Sequence, residues 1–229
     1  MPNSRTNNLR YELKLTCDNH QLAQARQWIR LHPAGFRRTF ENRRVNSLYF
    51  DTPNLQSYQG NLSGIAERKK LRLRWYGPIS AIVSSPTLEL KRKAGLLGDK
   101  KQQLLDCTID WSWPYAEILP VIRAAADKAW HPVLQAAFQP TLINSYTREY
   151  FATADGAVRV TLDYDQAAFN QRLSGRPNFG RRLLNQDFVV IEIKGAPDTS
   201  DRLEEIMGHF PTQRTRNSKY VNGVSSQLL

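Results

Sequence analysis

Cationic side chains recur at every second position in one short stretch of this sequence, residues 67–76. Lys70, Arg72 and Arg74 alternate there with apolar residues. Because successive side chains of a β-strand point to opposite faces, the three cations share one face of a predicted strand. Like charges on one face repel each other, so the pattern predicts an anionic group opposite them.

Further predicted strands combine the same alternation with single carboxylates. The carboxylates are Glu12, Glu89, Asp163 and Glu192, and the cations that share their faces include Lys14, Lys91, Lys93, Arg159 and Lys194. On any one strand, an ordinary solvent-exposed face explains the alternation more simply. Across the set, however, Lys and Arg dominate, and both neutralise phosphate oxygens. A carboxylate among such cations is suited to hold a divalent metal that also touches the phosphates.

The chain as a whole is strongly basic. Its 229 residues carry a formal net charge of +11, which predicts an anionic partner: nucleic acid, a membrane surface or a phosphate-rich small molecule. No apolar run approaches the roughly 20 residues of a membrane helix, and the N-terminus lacks the apolar core of a secretory signal. Two cysteines without metal-type spacing are predicted to be unpaired, as in a reducing cytoplasm. The scattered histidines predict neither a zinc site nor a histidine-activated nucleophile.

Hydrophobic periodicity predicts one domain over residues 1–229, with residues 1–8 flexible. The predicted strands cover residues 9–15, 45–51, 67–76, 87–93, 104–109, 142–151, 157–164 and 188–194. The predicted helices cover residues 18–31, 115–138 (divided at Pro120 and Pro132) and 199–210, with a short helix or loop over 55–62. Gly95 and Gly98 predict a turn that leads into residues 99–102, and residues 170–186 predict an extended loop.

These elements predict an α+β fold built on a closed, eight-stranded antiparallel β-barrel. The interior of such a barrel is just wide enough for side chains and a slim ligand. With the charged faces inward and the helices packed outside, the barrel becomes a basic tunnel that contains a few acids. A long, thin polyanion fits such a tunnel and duplex nucleic acid does not, so no nucleic-acid partner is expected.

Eight short motifs, in order along nearly the whole chain, resemble the VTC (vacuolar transporter chaperone) catalytic domain family within the triphosphate tunnel metalloenzymes. The motifs cover residues 10–14, 47–52, 70–77, 88–93, 146–148, 159–163, 191–194 and 218–220. No single motif is specific to the family, but the occurrence of all eight in this order is. The resemblance implies an eight-stranded tunnel that binds a nucleoside triphosphate or polyphosphate with Mn²⁺ or Mg²⁺. The best-studied members of the family are polyphosphate polymerases, which move the γ-phosphoryl group of ATP onto a growing polyphosphate chain.

The resemblance also implies roles for individual residues. The implied catalytic residues are Arg72, Arg74, Lys91, Lys219 and Glu192. Glu192 is also the chief implied metal ligand, with Glu12, Glu89 and Asp163 as weaker candidates. Further phosphate-binding residues are Lys14, Lys70, Lys93, Lys101 (or Lys100), Tyr146, Arg148, Arg159, Arg216 and Ser218. Tyr146 is implied to donate a hydrogen bond to a phosphate, and Lys219 to come from a C-terminal helix.

Two positions depart from the family's pattern. Arg216 stands where members often carry Lys, and Arg10 stands where the wider superfamily has the first Glu of a Glu-x-Glu-x-Lys signature. The second departure weakens an assignment as a thiamine triphosphatase or an adenylate cyclase. The sequence shows neither the phosphate-sensor domain nor the membrane segment that eukaryotic members carry or assemble with. We therefore do not expect this chain alone to couple synthesis to transport, and its oligomeric state is not predicted.

Three alternatives remain open. The same tunnel serves a hydrolase of tripolyphosphate or nucleoside triphosphates, with water as the nucleophile. A non-catalytic polyphosphate or nucleotide sensor is less expected, because Glu192 is present. A nucleic-acid module would use aromatic and basic residues that lie close together in the sequence. These residues are Trp75, Tyr76, Arg37, Arg38, Arg43 and Arg44, and a solvated surface explains the four arginines more simply.

Overall fold

A computed structural model describes residues 11–65, 67–94, 97–183 and 187–228 of the protein. The predictions for residues 1–8, for Arg10 and for Gly95 fall outside these ranges. Every element and contact below belongs to the described residues.

The described residues form ten strands and six helices. The strands are β1 (Tyr11–Asp18), β2 (Arg37–Asp51), β3 (Glu67–Tyr76), β4 (Val83–Ser84), β5 (Thr87–Ala94), β6 (Leu97–Leu104), β7 (Thr108–Ile109), β8 (Gln139–Ala152), β9 (Arg159–Asn170) and β10 (Phe188–Gly195). The helices are α1 (Leu22–Arg30), α2 (Gln56–Leu62), α3 (Tyr115–Ala125), α4 (His131–Ala136), α5 (Ser200–Gly208) and α6 (Lys219–Leu228). In the ranges described, none of the helices is long and apolar enough to cross a membrane.

Eight of the strands form one antiparallel sheet in the order β1-β10-β9-β8-β2-β3-β5-β6. The short strands β4 and β7 pair separately. Strands β1 and β6 therefore lie at the two ends of the large sheet. The α+β class and the eight antiparallel strands agree with the prediction from the sequence, but among the described residues β1 does not pair with β6 to close the predicted barrel.

The large sheet curves strongly toward its charged face. Glu12 in β1 and Lys91 in β5 form an ion pair of 2.9 Å, although six strand-to-strand steps separate β1 from β5. At about 4.8 Å per step, a flat sheet would hold these strands about 29 Å apart. The charged face is therefore concave, and its two margins approach each other.

The opposite, apolar face of the sheet is covered by helices in two places. Helices α1 and α5 pack over β1, β9 and β10, where Leu15, Ile191 and Leu203 are fully buried. Helices α3 and α4 pack over β2, β3 and β5, where Leu73 and Ile118 are fully buried. Each such side chain contributes about 1.5–3 kcal/mol on burial, so these two clusters hold the curved sheet in shape.

Helix α6 packs on the charged side instead, against the expectation that the helices lie outside. Tyr220 and Val224 are buried against Tyr49, whose side chain lies opposite Arg72 across β2 and β3. The Tyr220 hydroxyl also donates a hydrogen bond to the fully buried carboxylate of Asp51 at the end of β2. The N-terminus of α6 is thereby brought to the charged face.

Three local predictions were wrong. Residues 99–102, into which the predicted turn leads, lie in β6 because each of them pairs with a residue of β5, and this pairing overrides their weak strand propensity. The strand predicted over residues 104–109 is therefore displaced, since β6 ends at Leu104 and the next strand covers only Thr108–Ile109. Pro120 does not divide the helix in which it lies, since α3 continues through it. The break comes at Ala126, whose backbone is extended. Strands β2 and β9 also extend beyond their predicted limits, from Arg37 and to Asn170.

Candidate functional site

Glu192 lies at the centre of a network of ion pairs on the concave face. Its Oε1 accepts a hydrogen bond from Lys14 at 2.9 Å, and its Oε2 accepts from Lys194 at 2.5 Å and from Arg148 at 3.1 Å. Burial raises the pKa of this carboxyl, but the three cations outweigh burial and hold the pKa well below its ordinary value. Glu192 is therefore ionised across the whole neutral range.

Asp163 in β9 links this strand to helix α6 through its side-chain contacts. It accepts two hydrogen bonds from the Arg148 guanidinium, at 2.5 and 2.6 Å, and one from Lys219 at 2.5 Å. Asp163 is fully buried and Lys219 is 7% exposed. The ring of Tyr146 lies beneath both cations, 4.5 Å from the Lys219 ammonium and 5.2 Å from the Arg148 guanidinium carbon. Cation–π attraction therefore helps to hold the two cations at this position.

A second carboxylate centre lies on β5. Glu89 accepts hydrogen bonds from Arg72 at 2.7 Å and from Gln102 at 2.6 Å, and it lies 3.5 Å from Arg74 and 3.8 Å from Lys100. Burial raises the pKa of Glu89, but the cations lower it to about 2. Glu89 is 1% exposed, so this charge is compensated by its partners rather than by water.

Several lysines of the concave face have too few anionic partners. Lys70 donates to the Ser218 hydroxyl at 2.9 Å, yet burial and the nearby cations Lys14 and Lys91 hold its pKa well below the ordinary value. Burial lowers the pKa of Lys91, and the ion pair with Glu12 does not compensate for it. The negative charge of a bound polyanion would offset the repulsion and stabilise the charged form of both lysines.

The described residues place many more cations than anions on this face. The cations that the contacts and the strand alternation assign to it include Lys14, Lys70, Arg72, Arg74, Lys91, Lys93, Lys100, Arg148, Lys194 and Lys219. The carboxylates are Glu12, Glu89, Asp163 and Glu192. The cations therefore outnumber the four anions in a partly enclosed space. This arrangement is suited to a densely charged anion, whose phosphate or similar groups would neutralise the surplus positive charge.

The donor chemistry of the face fits a divalent metal. Carboxylate oxygens are the ligands that Mg²⁺ and Mn²⁺ favour, and Glu192 lies among Lys14, Arg148 and Lys194 on this face. No group of three or more His, Cys, Asp or Glu side chains is placed to hold a metal within the described ranges. Mg²⁺ typically takes one or two carboxylates and completes its shell with water and substrate phosphates, so Glu192 with Glu12 or Asp163 suffices.

The structure brings most of the predicted site residues together and places Lys101 elsewhere. Lys101 pairs with Leu90, so it lies on the other face, where its ammonium donates to the Ala129 carbonyl and lies 4.8 Å from the Trp130 ring. The prediction for Lys101 is therefore wrong, and its neighbour Lys100 faces Glu89. Arg159 is exposed at the start of β9, opposite Lys194 in the pairing of β9 with β10, and Arg216 is exposed just before α6.

Residue-level prediction assigned no role to Lys194, Gln102 or Tyr49, which also belong to the site. Lys194 is two residues beyond Glu192, so strand alternation was a sufficient signal for it. Gln102 and Tyr49 are ordinary polar residues whose contacts with Glu89 and Arg72 depend on strand pairing. No signal in the sequence distinguished these two residues.

The residues of the nucleic-acid alternative do not form one surface. Trp75 is buried at 2% exposure, and Arg44 pairs with Asp165. Tyr76 is half exposed, and the Arg43 guanidinium lies over its ring at 5.8 Å. These contacts give Arg43 a defined environment that the surface interpretation did not predict.

Comparisons with known proteins identify a family and two distant structural likenesses. The family model described as "VTC domain" matches residues 9–228. Among solved structures, the PH1819 protein from Pyrococcus horikoshii OT3 is similar at 14% identity and a TM-score of 0.46, with 95% of this chain and 96% of that chain covered. The Schizosaccharomyces pombe Mediator head module is similar at 8% identity and a TM-score of 0.41, with 87% and 91% covered. No curated protein sequence matches the chain.

Proposed function

The chain belongs to the VTC domain family, and we propose that it is a metal-dependent polyphosphate polymerase. In the proposed reaction, the γ-phosphoryl group of ATP is transferred to the end of a growing inorganic polyphosphate chain. Membership of the family is consistent with a function related to polyphosphate. The unpaired cysteines Cys17 and Cys107 accord with a cytoplasmic location.

The observation that carries the proposal is the surplus of cations on a concave, partly enclosed face. The contact between Glu12 and Lys91 supports closure of this face into a tunnel, since it joins the two margins of the sheet. A tunnel admits a chain of phosphates end-on and excludes wider anions. An open basic surface does not discriminate between thin and bulky anions. The product of the proposed reaction is such a thin chain.

The cations of the face supply the chemistry that phosphoryl transfer requires. This reaction depends mainly on positioning and on stabilising charge that spreads over the transferred group. Arg72, Arg74 and Lys91 are proposed to take up that charge, together with Lys219 from α6. The attacking atom is a terminal phosphate oxygen, which is already ionised near neutral pH. The reaction therefore needs no general base, in keeping with the absence of a predicted catalytic histidine.

The proposed cofactor is Mn²⁺ or Mg²⁺, held by Glu192 with Glu12 or Asp163 as a second ligand. When bound, the metal would neutralise charge on the phosphate oxygens. The remaining phosphate contacts are proposed to come from cations that already lie beside these carboxylates. They are Lys14, Lys70, Lys93, Lys100, Arg148 and Lys194.

Product analysis tests the proposal. We would incubate the purified protein with ATP and Mn²⁺, separate the products on a polyacrylamide gel stained for polyphosphate, and assay ADP and orthophosphate in parallel. The Arg72→Ala variant, purified in the same way, controls for contaminating enzymes. Long chains together with ADP, made by the wild type alone, are expected. Orthophosphate without chains would show that the protein is a hydrolase instead of a polymerase. Binding of ATP without either product would show that it is a sensor.

A further inference from the structure

A cluster of aromatic rings surrounds one arginine at the end of the charged face. The Arg43 guanidinium carbon lies 5.3 Å from the centre of the Phe40 ring and 5.8 Å from the centres of both the Tyr76 and the Tyr150 rings. The Phe40 and Tyr150 rings meet edge to face at 5.7 Å. We call these four residues the aromatic rim. The contacts draw together β2, β3 and β8.

The aromatic rim continues the concave face along its strands. Tyr76 follows Arg74 by two residues in β3, and Tyr150 follows Arg148 by two residues in β8, so each tyrosine shares a face with its cation. Arg43 lies directly opposite Arg148 in the pairing of β2 with β8. One two-residue step along a strand is about 7 Å. The rim therefore adjoins the cations proposed to bind phosphates.

Two rings of the rim are exposed to solvent, whereas most aromatic side chains of this protein are buried or partly buried. Phe40 is 55% exposed and Tyr76 is 50% exposed. Within the described ranges, Arg43 contacts no carboxylate and is held by the rings alone. An exposed set of π-faces around an unpaired guanidinium can receive a flat, uncharged aromatic group and need not displace a protein contact.

We propose that the aromatic rim binds the nucleobase of the nucleoside triphosphate whose phosphates occupy the charged face. This inference rests on the proposed function, because it takes the phosphate-binding face as the place of the triphosphate. The rim adjoins the cations of the charged face, and its rings and guanidinium offer stacking surfaces at the end of that face. Every base has a π-face that can stack on these rings. We therefore expect the site to bind adenine and guanine nucleotides with similar affinity.

The alternative is that the rim only stabilises the extended ends of β2 and β8. A stabilising cluster would affect folding, and through folding it would affect all anionic ligands equally. A base-binding site affects only ligands that carry a base. Inorganic tripolyphosphate and a non-hydrolysable ATP analogue share a triphosphate group and differ in the nucleoside, so their comparison separates the two roles.

Titration calorimetry at fixed Mg²⁺ and salt provides the test. We would measure both ligands on the wild type, on Phe40→Ala and Tyr76→Ala, and on Tyr76→Phe, which keeps the ring. We expect each alanine variant to weaken the ATP analogue about tenfold, or 1.4 kcal/mol, while tripolyphosphate affinity stays within twofold. Tyr76→Phe should bind both ligands as the wild type does. The unchanged tripolyphosphate affinity also shows that the alanine variants are folded.

Four results would overturn the inference. Equal losses for both ligands would make the rim a structural cluster, and unchanged affinity for the analogue would place the base elsewhere; in both cases the proposed function stands. If the wild type binds neither ligand, the proposed function falls together with the rim site. Tighter binding of a single-stranded oligonucleotide than of the analogue, lost in the same variants, would assign the rim to nucleic acid instead.

Discussion

Lys91 and Glu12 form an ion pair of 2.9 Å between the two margins of the curved sheet. The pair lies on the concave face and is partly buried, with side-chain exposures of 36% and 14%. Lys91 approaches from the last strand but one and Glu12 from the first. The charges that we propose to bind the substrate therefore also help to hold the sheet in its curved form.

A double-mutant cycle measures this contribution. We expect Glu12→Gln and Lys91→Met to couple by about 1 kcal/mol in the free energy of unfolding, because the contact is shielded from water on most sides. The exposed pair Glu204–Arg214, whose side chains are both 41% exposed, serves as the control and should couple by no more than about 0.5 kcal/mol. Urea unfolding at neutral pH gives both values. Additive effects at Glu12 and Lys91 would mean that the margins are held by packing alone.

Replacing Glu192 by Gln should abolish metal-dependent turnover and also destabilise the protein. The substitution removes the proposed metal ligand, for which we expect a loss of at least about 100-fold in kcat. It also leaves Lys14, Arg148 and Lys194 without their shared anion, which costs about 3 kcal/mol of stability.

Ligand-dependent melting separates these two effects. Tripolyphosphate should raise the melting temperature of Glu192→Gln by more than that of the wild type, because it restores the missing negative charge. Glu204→Gln, which removes a surface carboxylate, is the control and should leave activity unchanged and lower stability by no more than about 0.5 kcal/mol. Wild-type turnover in Glu192→Gln would exclude this residue from metal binding.

Two adjacent lysines of β6 should respond differently to the same substitution. Lys100 lies on the concave face, 3.8 Å from Glu89, and Lys101 lies on the outer face near Trp130. We expect Lys100→Met to weaken tripolyphosphate binding about fivefold and Lys101→Met to leave it unchanged. Lys101→Met should instead lower stability by about 0.5–1 kcal/mol, because it loses the cation–π contact. Calorimetry and urea unfolding distinguish the two, and the reverse assignment would indicate a shifted register in β6.

The difference between Lys100 and Lys101 shows how far the sequence could predict the site. The period-two pattern identified Lys70, Arg72 and Arg74 as one face, because this inference needs only neighbouring residues. Which face β6 presents depends on its register with β5, and a slip of one residue exchanges the two faces. The sequence of β6 does not determine that register.

Helix α6 could not be predicted from the local sequence pattern either, because it too depends on contacts with distant parts of the chain. Its residues include Asn222, Gly223 and Ser225, which are weak helix formers, so its stability comes from packing rather than from propensity. Only the resemblance to the family placed Lys219 in a helix. That the helix lies on the charged face depends on contacts with Asp51 and Tyr49, which are more than 160 residues away in the chain.

Tyr220 should act as a positioning residue for Lys219. Its hydroxyl donates to the buried Asp51 carboxylate at 2.5 Å, and Lys219 is the next residue in the chain. We expect Tyr220→Phe to lower stability by about 1.5–3 kcal/mol, the value of a hydrogen bond to a charged group, and to raise KM for ATP more than it lowers kcat.

Tyr115→Phe provides the matched control for Tyr220→Phe. The buried Tyr115 hydroxyl donates to Gln171 at 2.8 Å, away from the charged face. This variant should lose stability with no change in KM. If both variants change KM equally, the effect of Tyr220→Phe on KM comes from general loosening of the fold and not from the position of Lys219.

The stability of the free protein and its affinity for tripolyphosphate should change in opposite directions at alkaline pH. Burial and neighbouring cations hold the pKa of Lys70 well below its ordinary value of 10.5. At pH values below the lowered pKa, Lys70 is charged in the folded and the unfolded states, and the folded state bears the full repulsion. As pH rises from the lowered pKa toward 10.5, the folded state releases the proton first, so the free energy of unfolding increases. Phosphate binding needs the charged form, so affinity falls over the same interval.

The Lys70→Met variant isolates this effect from other groups that titrate at alkaline pH. We would measure urea unfolding and tripolyphosphate binding for both proteins between about pH 7 and pH 10.5. The stability of the wild type relative to Lys70→Met should rise with pH, and its advantage in affinity should shrink. The mutant should be the more stable protein at neutral pH without ligand, because it lacks a buried cation among cations. A relative stability that falls with pH would show that Lys70 has a favourable anionic partner in the folded protein.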